Sequence, residues 1–289
     1  MATLLALKGR IRTAKNVSKT TKAMQMIAAS KLKRAQNAAL ASRPYADKLS
    51  LISKSLLSKI EEESYHDYMK SRKNSGKTLL IVFAPEKGLC GALATNMTNE
   101  LYKQNRENKD QLFIVTIGKK IESAVRFMQN EVVASFELGT ILPQFNMVYP
   151  ILQIIDDYFL SKKADRVQVL FPKFTSLFSQ TPQLETLLPI EVPKEQSEEV
   201  LNFTIFEPDS SKILPKLLRH YIEILMHQYF LETYLSEQAS RMLSMKNATD
   251  NAGEIIENLQ LEYNKSRQEK ITSELLSSAT DSSFAFAYE

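Results

Sequence analysis

Histidine, cysteine and clustered carboxylates are the side chains best suited to chemistry near neutral pH. This chain of 289 residues holds only 3 His and 1 Cys. Cys90 stands in Pro85-Glu86-Lys87-Gly88-Leu89-Cys90-Gly91-Ala92-Leu93, between an apolar run and a helical pattern. A strand-to-helix turn of this kind can offer backbone amides to an anion. The full G-x-G-x-x-G spacing is absent, so tight-turn packing is the better reading. No His lies near Cys90 to activate it, and a small core residue is expected. Asn74-Ser75-Gly76-Lys77-Thr78 imitates the tail of a phosphate-binding loop. Ser71 stands where the upstream Gly belongs, and the segment precedes a strand instead of following one. His220 and His227 share a helix face with no Cys at ligand spacing, and His66 stands alone. With no Ser-His-Asp set, paired carboxylates or metal cluster in view, no catalytic residue, metal or cofactor is expected.

The elements around these residues are more informative. Apolar or small residues recur at Leu4, Leu7, Ile11, Ala14, Val17, Thr21, Met24, Ala28, Leu32, Ala35 and Ala39, in steps of three and four. That spacing predicts one helix face from about Thr3 to Glu63, rich enough in Ala for a partner helix to approach closely. Pro44, in Arg43-Pro44-Tyr45, is expected to kink or restart it. After the polar linker 70–77 the period changes. Strands are predicted at Thr78–Ala84, Leu112–Ile117, Val132–Glu137 and Arg166–Pro172, and further strands or extended connections at Gln183–Pro193 and Asn202–Phe206. Helices are predicted near Ala92–Arg106, Lys119–Gln129 and Met147–Ser161. This alternation argues a largely parallel sheet.

From Asp209, where Asp209-Ser210-Ser211 can cap, one seam persists to Ser266. It runs through Leu217, Tyr221, Ile224, Gln228, Leu231, Leu235, Ala239, Met242, Met245, Thr249, Ala252, Ile256, Leu259 and Tyr263. A helix of about 70 residues spans about 105 Å, too long for a globular interior. From Leu217 to Leu235 it is apolar nearly all round and must be covered on several sides. Beyond Ser236 only the seam is apolar, and that part is expected to project free of its own chain. The fold class is therefore α/β plus long helices. The N- and C-terminal helices form an antiparallel coiled coil, with a small Rossmann-like α/β domain inserted between them. The expected division is 1–69, 70–208 and 209–289.

Charge bounds the partner. The net charge is +4, yet between Lys8 and Arg43 there are ten Lys/Arg and no acid. Such a rod suits nucleic acid, an anionic membrane or an acidic protein surface. Aromatics are absent from the first 44 residues, so no base-stacking platform is visible. The opposite face is Ala-rich and committed to a seam, which disfavours a membrane surface. An acidic protein is left. No run of about 18 apolar residues exists to span a membrane. The start is too short and too soon charged for a secretory signal. One Cys excludes an internal disulfide, a thiol switch included.

Four segments carry a family resemblance. Thr21-Lys22-Ala23-Met24-Gln25-Met26-Ile27-Ala28-Ala29-Ser30-Lys31-Leu32 resembles the N-terminal helix signature of the γ subunit of F-type ATP synthase. Gly88-Leu89-Cys90-Gly91 is similar to that family's first strand–helix turn. Residues 240–252 (SRMLSMKNATDNA) and 261–275 (LEYNKSRQEKITSEL) resemble its C-terminal helix. The resemblance spans essentially the whole chain and implies a central rotary stalk. It would couple proton flow through the c-ring to ATP synthesis and hydrolysis in the α and β hexamer, without a catalytic site of its own. Implied partners are α, β, the ε subunit and the c-ring, one copy of this chain per complex, with no nucleic acid. The implied hexamer contacts are Met24, Lys31, Arg34, Arg241, Arg267, Gln268, Thr272 and Glu274; the implied c-ring contact is Glu207, within Phe206-Glu207-Pro208-Asp209. Ser277, Asp281 and the aromatic end Phe284-Ala285-Phe286-Ala287-Tyr288 depart from the family pattern. The expected location is peripheral, on the cytoplasmic face of a bacterial plasma membrane in preference to the matrix side of a mitochondrial inner membrane. The competing readings are a coiled-coil scaffold or nucleic-acid binder using the basic helix, and an enzyme built on Lys77–Pro193.

Overall fold

Three runs rich in Leu, Ile, Val and Phe become the central strands of a five-stranded sheet, because β-branched and aromatic side chains fill a pleated surface buried on both faces. The structure is a computed structural model describing residues 4–57, 66–71, 76–107, 111–128, 130–190 and 210–285. Its elements in chain order are α1 (Leu4–Leu57), β1 (Lys77–Phe83), α2 (Leu93–Glu107), β2 (Gln111–Ile117), α3 (Glu122–Phe127), β3 (Glu131–Phe136), α4 (Tyr149–Phe159), β4 (Arg166–Phe174), β5 (Gln180–Leu188) and α5 (Ser210–Ala285). The segment Asn202–Phe206, with Glu207, lies outside the described residues.

The chain divides into two compact units, Ala28–Arg241 and Met1–Ile27 with Met242–Glu289. In the larger unit the sheet order is β3-β2-β1-β4-β5. The first four strands are parallel and β5 returns antiparallel to β4. Alternate residues face opposite sides. Leu79, Ile81 and Phe83 meet Ile151, Ile155, Leu218, Ile222, Met226 and Phe230, from α4 and α5. Leu80 and Val82 meet Met97, Leu101 and Val125, from α2 and α3. The Phe83 and Phe230 rings sit edge to face, 5.0 Å apart, an arrangement the ring quadrupoles favour. Strand β5 begins at Gln180, earlier than its predicted start, because the edge of a sheet tolerates Pro182 opposite Pro172.

In the smaller unit the helix ends pair as the expected antiparallel coiled coil. Leu7, Met245 and Ala252 are buried, and Ile11, Ala14, Thr21, Met24, Ile256, Leu259 and Tyr263 are half-buried. Thr21 and Thr249 share a hydroxyl hydrogen bond of 2.7 Å across the seam. Val17 is exposed and Ser18 takes the seam position instead. A period of 3.6 drifts against steps of three and four, so the stripe moves by one residue.

Two sequence expectations are corrected. α1 runs continuously through Pro44 and does not restart there. The proline forgoes one backbone bond, while the next residue is anchored by a 2.7 Å hydrogen bond between the Tyr45 hydroxyl and His220 Nε2. The covered part of α5 also extends past Ser236, for Ser236, Glu237, Gln238, Ala239 and Ser240 are all buried. Polar side chains there are tolerated because the sheet supplies their hydrogen-bond partners.

Candidate functional site

In an open doubly wound sheet, ligands bind outside the carboxyl ends of the strands, where the strand order reverses. Here that point lies between β1 and β4, which are neighbours although two strands separate them in sequence. α5 fills it. Glu232 Oε2 accepts from the Phe174 amide at the end of β4, at 3.0 Å. Ser236 Oγ donates to the Pro172 carbonyl at 2.9 Å. Glu237 Oε2 accepts from the Glu86 amide beyond the end of β1, at 2.9 Å. Ser240 Oγ donates to the Cys90 carbonyl at 2.5 Å. Arg241 Nη2 donates to the Lys87 and Gly88 carbonyls at 3.1 and 3.2 Å. Positions 232, 236, 237, 240 and 241 recur at helical spacing, so one face carries all five. A carboxylate of the chain itself thus stands where such a fold would receive an anion.

The charges are matched inside the crevice. The Glu237 side chain is 4% exposed and its partner Arg241 11% exposed, 2.5 Å apart. A buried carboxylate persists only when paired and hydrogen-bonded, and Glu237 has both kinds of partner. Glu86, equally buried, accepts from the Leu138 amide at 3.0 Å and meets Lys119 at 3.5 Å. Lys119 also pairs with Glu137 at 2.8 Å, and these carboxylates, Glu137 first, raise its pKa. Burial, then the nearby Glu237 charge, raise the Cys90 thiol above its ordinary value. A protonated, buried thiol is a poor nucleophile. Beneath the turn, Gly118 sits at φ +99 with the Ala84 carbonyl where any Cβ would go.

The residues implied by the resemblance fall in different settings. Met24 is half-buried in the coiled-coil unit. Lys31 in the larger unit donates from Nζ to the Thr140 carbonyl at 2.7 Å, and the Tyr234 hydroxyl reaches the same carbonyl at 3.4 Å. Arg34 is exposed. Arg241 is turned inward as described above. Arg267, Gln268, Thr272 and Glu274 are exposed on α5; Thr272 bonds back to the Gln268 carbonyl, and Glu274 meets Lys270 at 3.6 Å. The structure therefore gathers Arg241 with the 86–90 turn and leaves the four residues beyond Thr249 on an open helix face. His220 and His227 flank the Phe145 ring, and His220 Nδ1 meets Glu223 at 2.9 Å. Among the described residues no cluster of ligating side chains fits a metal ion, and no helix is long and apolar enough to cross a membrane.

Sequence reasoning missed Glu232, Ser236, Glu237 and Ser240. Their signal was present: polar side chains at helical spacing inside an otherwise covered stretch. Only the folded sheet shows which strand ends they serve.

With this geometry in hand, the comparisons with known proteins agree at full length. The ATP synthase family model matches residues 3–277. An ATP synthase gamma chain of Dehalococcoides mccartyi strain CBDB1 is 38% identical over 280 residues, 96% of each chain. The chain belongs to the ATP synthase gamma-chain family. Another gamma chain, from Roseiflexus castenholzii, is 36% identical over 93% of each chain. Solved structures share the fold. A chain from the central stalk and c-ring of Tetrahymena thermophila mitochondrial ATP synthase has a TM-score of 0.62 at 24% identity, covering 79% of this chain and 99% of that one. A chain from the Euglena gracilis enzyme with F1 and c-ring has a TM-score of 0.66 at 16% identity, covering 94% and 91%. For a gamma-family chain, a ligand crevice closed by its own helix fits work done through neighbours.

Proposed function

We propose that the chain is the rotating central stalk of a proton-translocating ATP synthase, one copy per complex. Its coiled coil stands within the ring of α and β subunits, and the inserted domain meets the ε subunit and the c-ring. Residues 1–69 and 209–289 serve as shaft and residues 70–208 as foot. Proton flow turns the ring, and the asymmetric shaft presses each catalytic site through different conformations, shifting populations by unequal contact. The chemistry of ATP belongs to the surrounding sleeve, and this chain supplies no catalytic group or cofactor. The chain sits peripherally on the cytoplasmic face of a bacterial plasma membrane.

The observation that carries this reading is the open face of α5. Leu261, Leu275 and Leu276 are each more than 60% exposed beside Arg267, Gln268, Thr272 and Glu274. Apolar side chains interleaved with charge on a helix whose seam is already satisfied suit a sleeve that makes and breaks contacts. Met24, Lys31 and Arg34 are proposed to meet an acidic loop of the sleeve, and Glu207 the polar rim of the c-ring. Arg forks suit carboxylates there because they bind them bidentately.

The test is a truncation ending at Gln260 in the intact membrane complex. The complex is expected to retain this chain yet lose most proton-driven ATP synthesis. Full synthesis by the truncated complex, or coupling in a complex lacking this chain, overturns the reading. Should the chain instead bind DNA with a steep salt dependence and fail to co-purify with α and β, the nucleic-acid reading replaces it.

A further inference from the structure

The hydrophobic part of the α5–sheet contact is strong but has no direction. Burial of Leu218, Met226 and Phe230 resists separation, whereas apolar surfaces offer little to hold a helix at one angle of roll. The polar face is different. Glu232 and Glu237 take amides at the ends of two adjacent strands, Phe174 closing β4 and Glu86 just after β1. Ser236 bonds between them, and Arg241 steadies Glu237 from the next turn. Rolling α5 by one residue, about 100°, would take every one of these groups off its partner at once. Ser236 and Glu237 would then be buried and unsatisfied, and Glu232 half-buried without its amide.

We infer that Glu232 and Glu237 are positioning residues that lock the roll of α5 against the sheet, so that load on the inserted domain turns the shaft without slipping. This rests on the rotary reading above and adds the place where its torque is held. The two carboxylates act through the helix and touch no substrate. Hydrogen bonds from amides to charged acceptors are the strong ones, and a pair of them on neighbouring strands resists rotation in both senses.

The experiment uses the assembled complex in sealed vesicles, carrying Glu232→Gln with Glu237→Gln, and each change alone. ATP hydrolysis and ATP-driven proton uptake are measured together as the proton gradient builds. In the double variant the protons moved per ATP hydrolysed fall about fivefold or more against a full gradient, the lower end of usual coupling between linked elements. The loss is smaller against a collapsed gradient. Hydrogen exchange at the Glu86 and Phe174 amides quickens about tenfold, as a loss of about 1.4 kcal/mol implies. Glu237→Asp, which keeps the charge, recovers part of the ratio. A ratio equal to wild type at full gradient overturns the lock. A ratio that falls equally at every gradient shows a merely loosened structure and also overturns it. If the double variant does not assemble, the single Glu237→Gln complex carries the same two outcomes. A complex that lacks this chain and still couples would instead sink the rotary reading itself.

Discussion

The two halves of α5 share one uninterrupted helix and differ in almost everything around it. From Tyr229 to Ser240 the helix is almost wholly enclosed by sheet and loops, and its half-buried Glu232 and buried Glu237 and Ser240 find partners on the end of β4 and the turn after β1. From Met242 onward only one stripe is covered, by the N-terminal part of α1, and Ile255, Leu261 and Leu275 face outward. Enclosure converts polar side chains into fixed directional contacts, because an unpaired buried group is costly. A half-covered helix keeps its polar groups in water and leaves apolar side chains exposed. One half belongs to a fold, and the other is a surface awaiting a fold made by others.

Replacing a ring in the enclosed half breaks the contrast hardest. Phe230→Ala opens a void against Phe83 and Tyr229 and is expected to lower unfolding stability by about 3–5 kcal/mol, read from urea midpoints. Gly118→Ala follows. Its Cβ meets the Ala84 carbonyl at 2.1 Å with φ at +99, so a loss of about 1–3 kcal/mol is expected, with the 85–91 turn loosened in hydrogen exchange. The open half should answer differently. Leu261→Ala is expected to change the stability of the chain alone by at most about 0.5 kcal/mol, while slowing ATP synthesis by the assembled enzyme. A large loss of stability there would mean that the outer face is covered by the chain itself.

The gentlest effect is on pH. Burial first, partly opposed by the Pro143 backbone, lowers His227 below its ordinary 6.5. The unfolded chain then binds the proton more readily, so stability rises with pH. The contribution is present above 6.5 and is lost as pH falls from there through the lowered folded value. His66 shifts the same way, burial being again its largest cause. His227→Gln is expected to flatten the acid limb of a urea-midpoint profile just below 6.5. An unchanged limb would show that His227 is as accessible to protons folded as unfolded.

Much of this was legible in order of residues. Met245 and Ala252 lie buried where the seam placed them, and β1 to β4 lie within two residues of their apolar runs. Cys90 proved a core residue, as its lack of a nearby His suggested. The misreadings share a cause. Pro44 stays within α1 because Tyr45 is held by a residue 175 positions away. Ser236 to Ser240 looked solvent-facing because side-chain polarity was visible and the strand ends that satisfy it were not.

Sequence by itself settled the period and the charge of the helices, since 3.6-residue recurrence is a local property of the chain. It settled as well that strands and helices alternate between the two long rods. Tertiary structure alone decided that the crevice of the sheet is closed by Glu237, that Arg241 turns inward, and that the polar face of α5 meets β1 and β4 together. Those facts rest on which strand ends become neighbours, and that choice depends on burial summed over distant residues that no local pattern records.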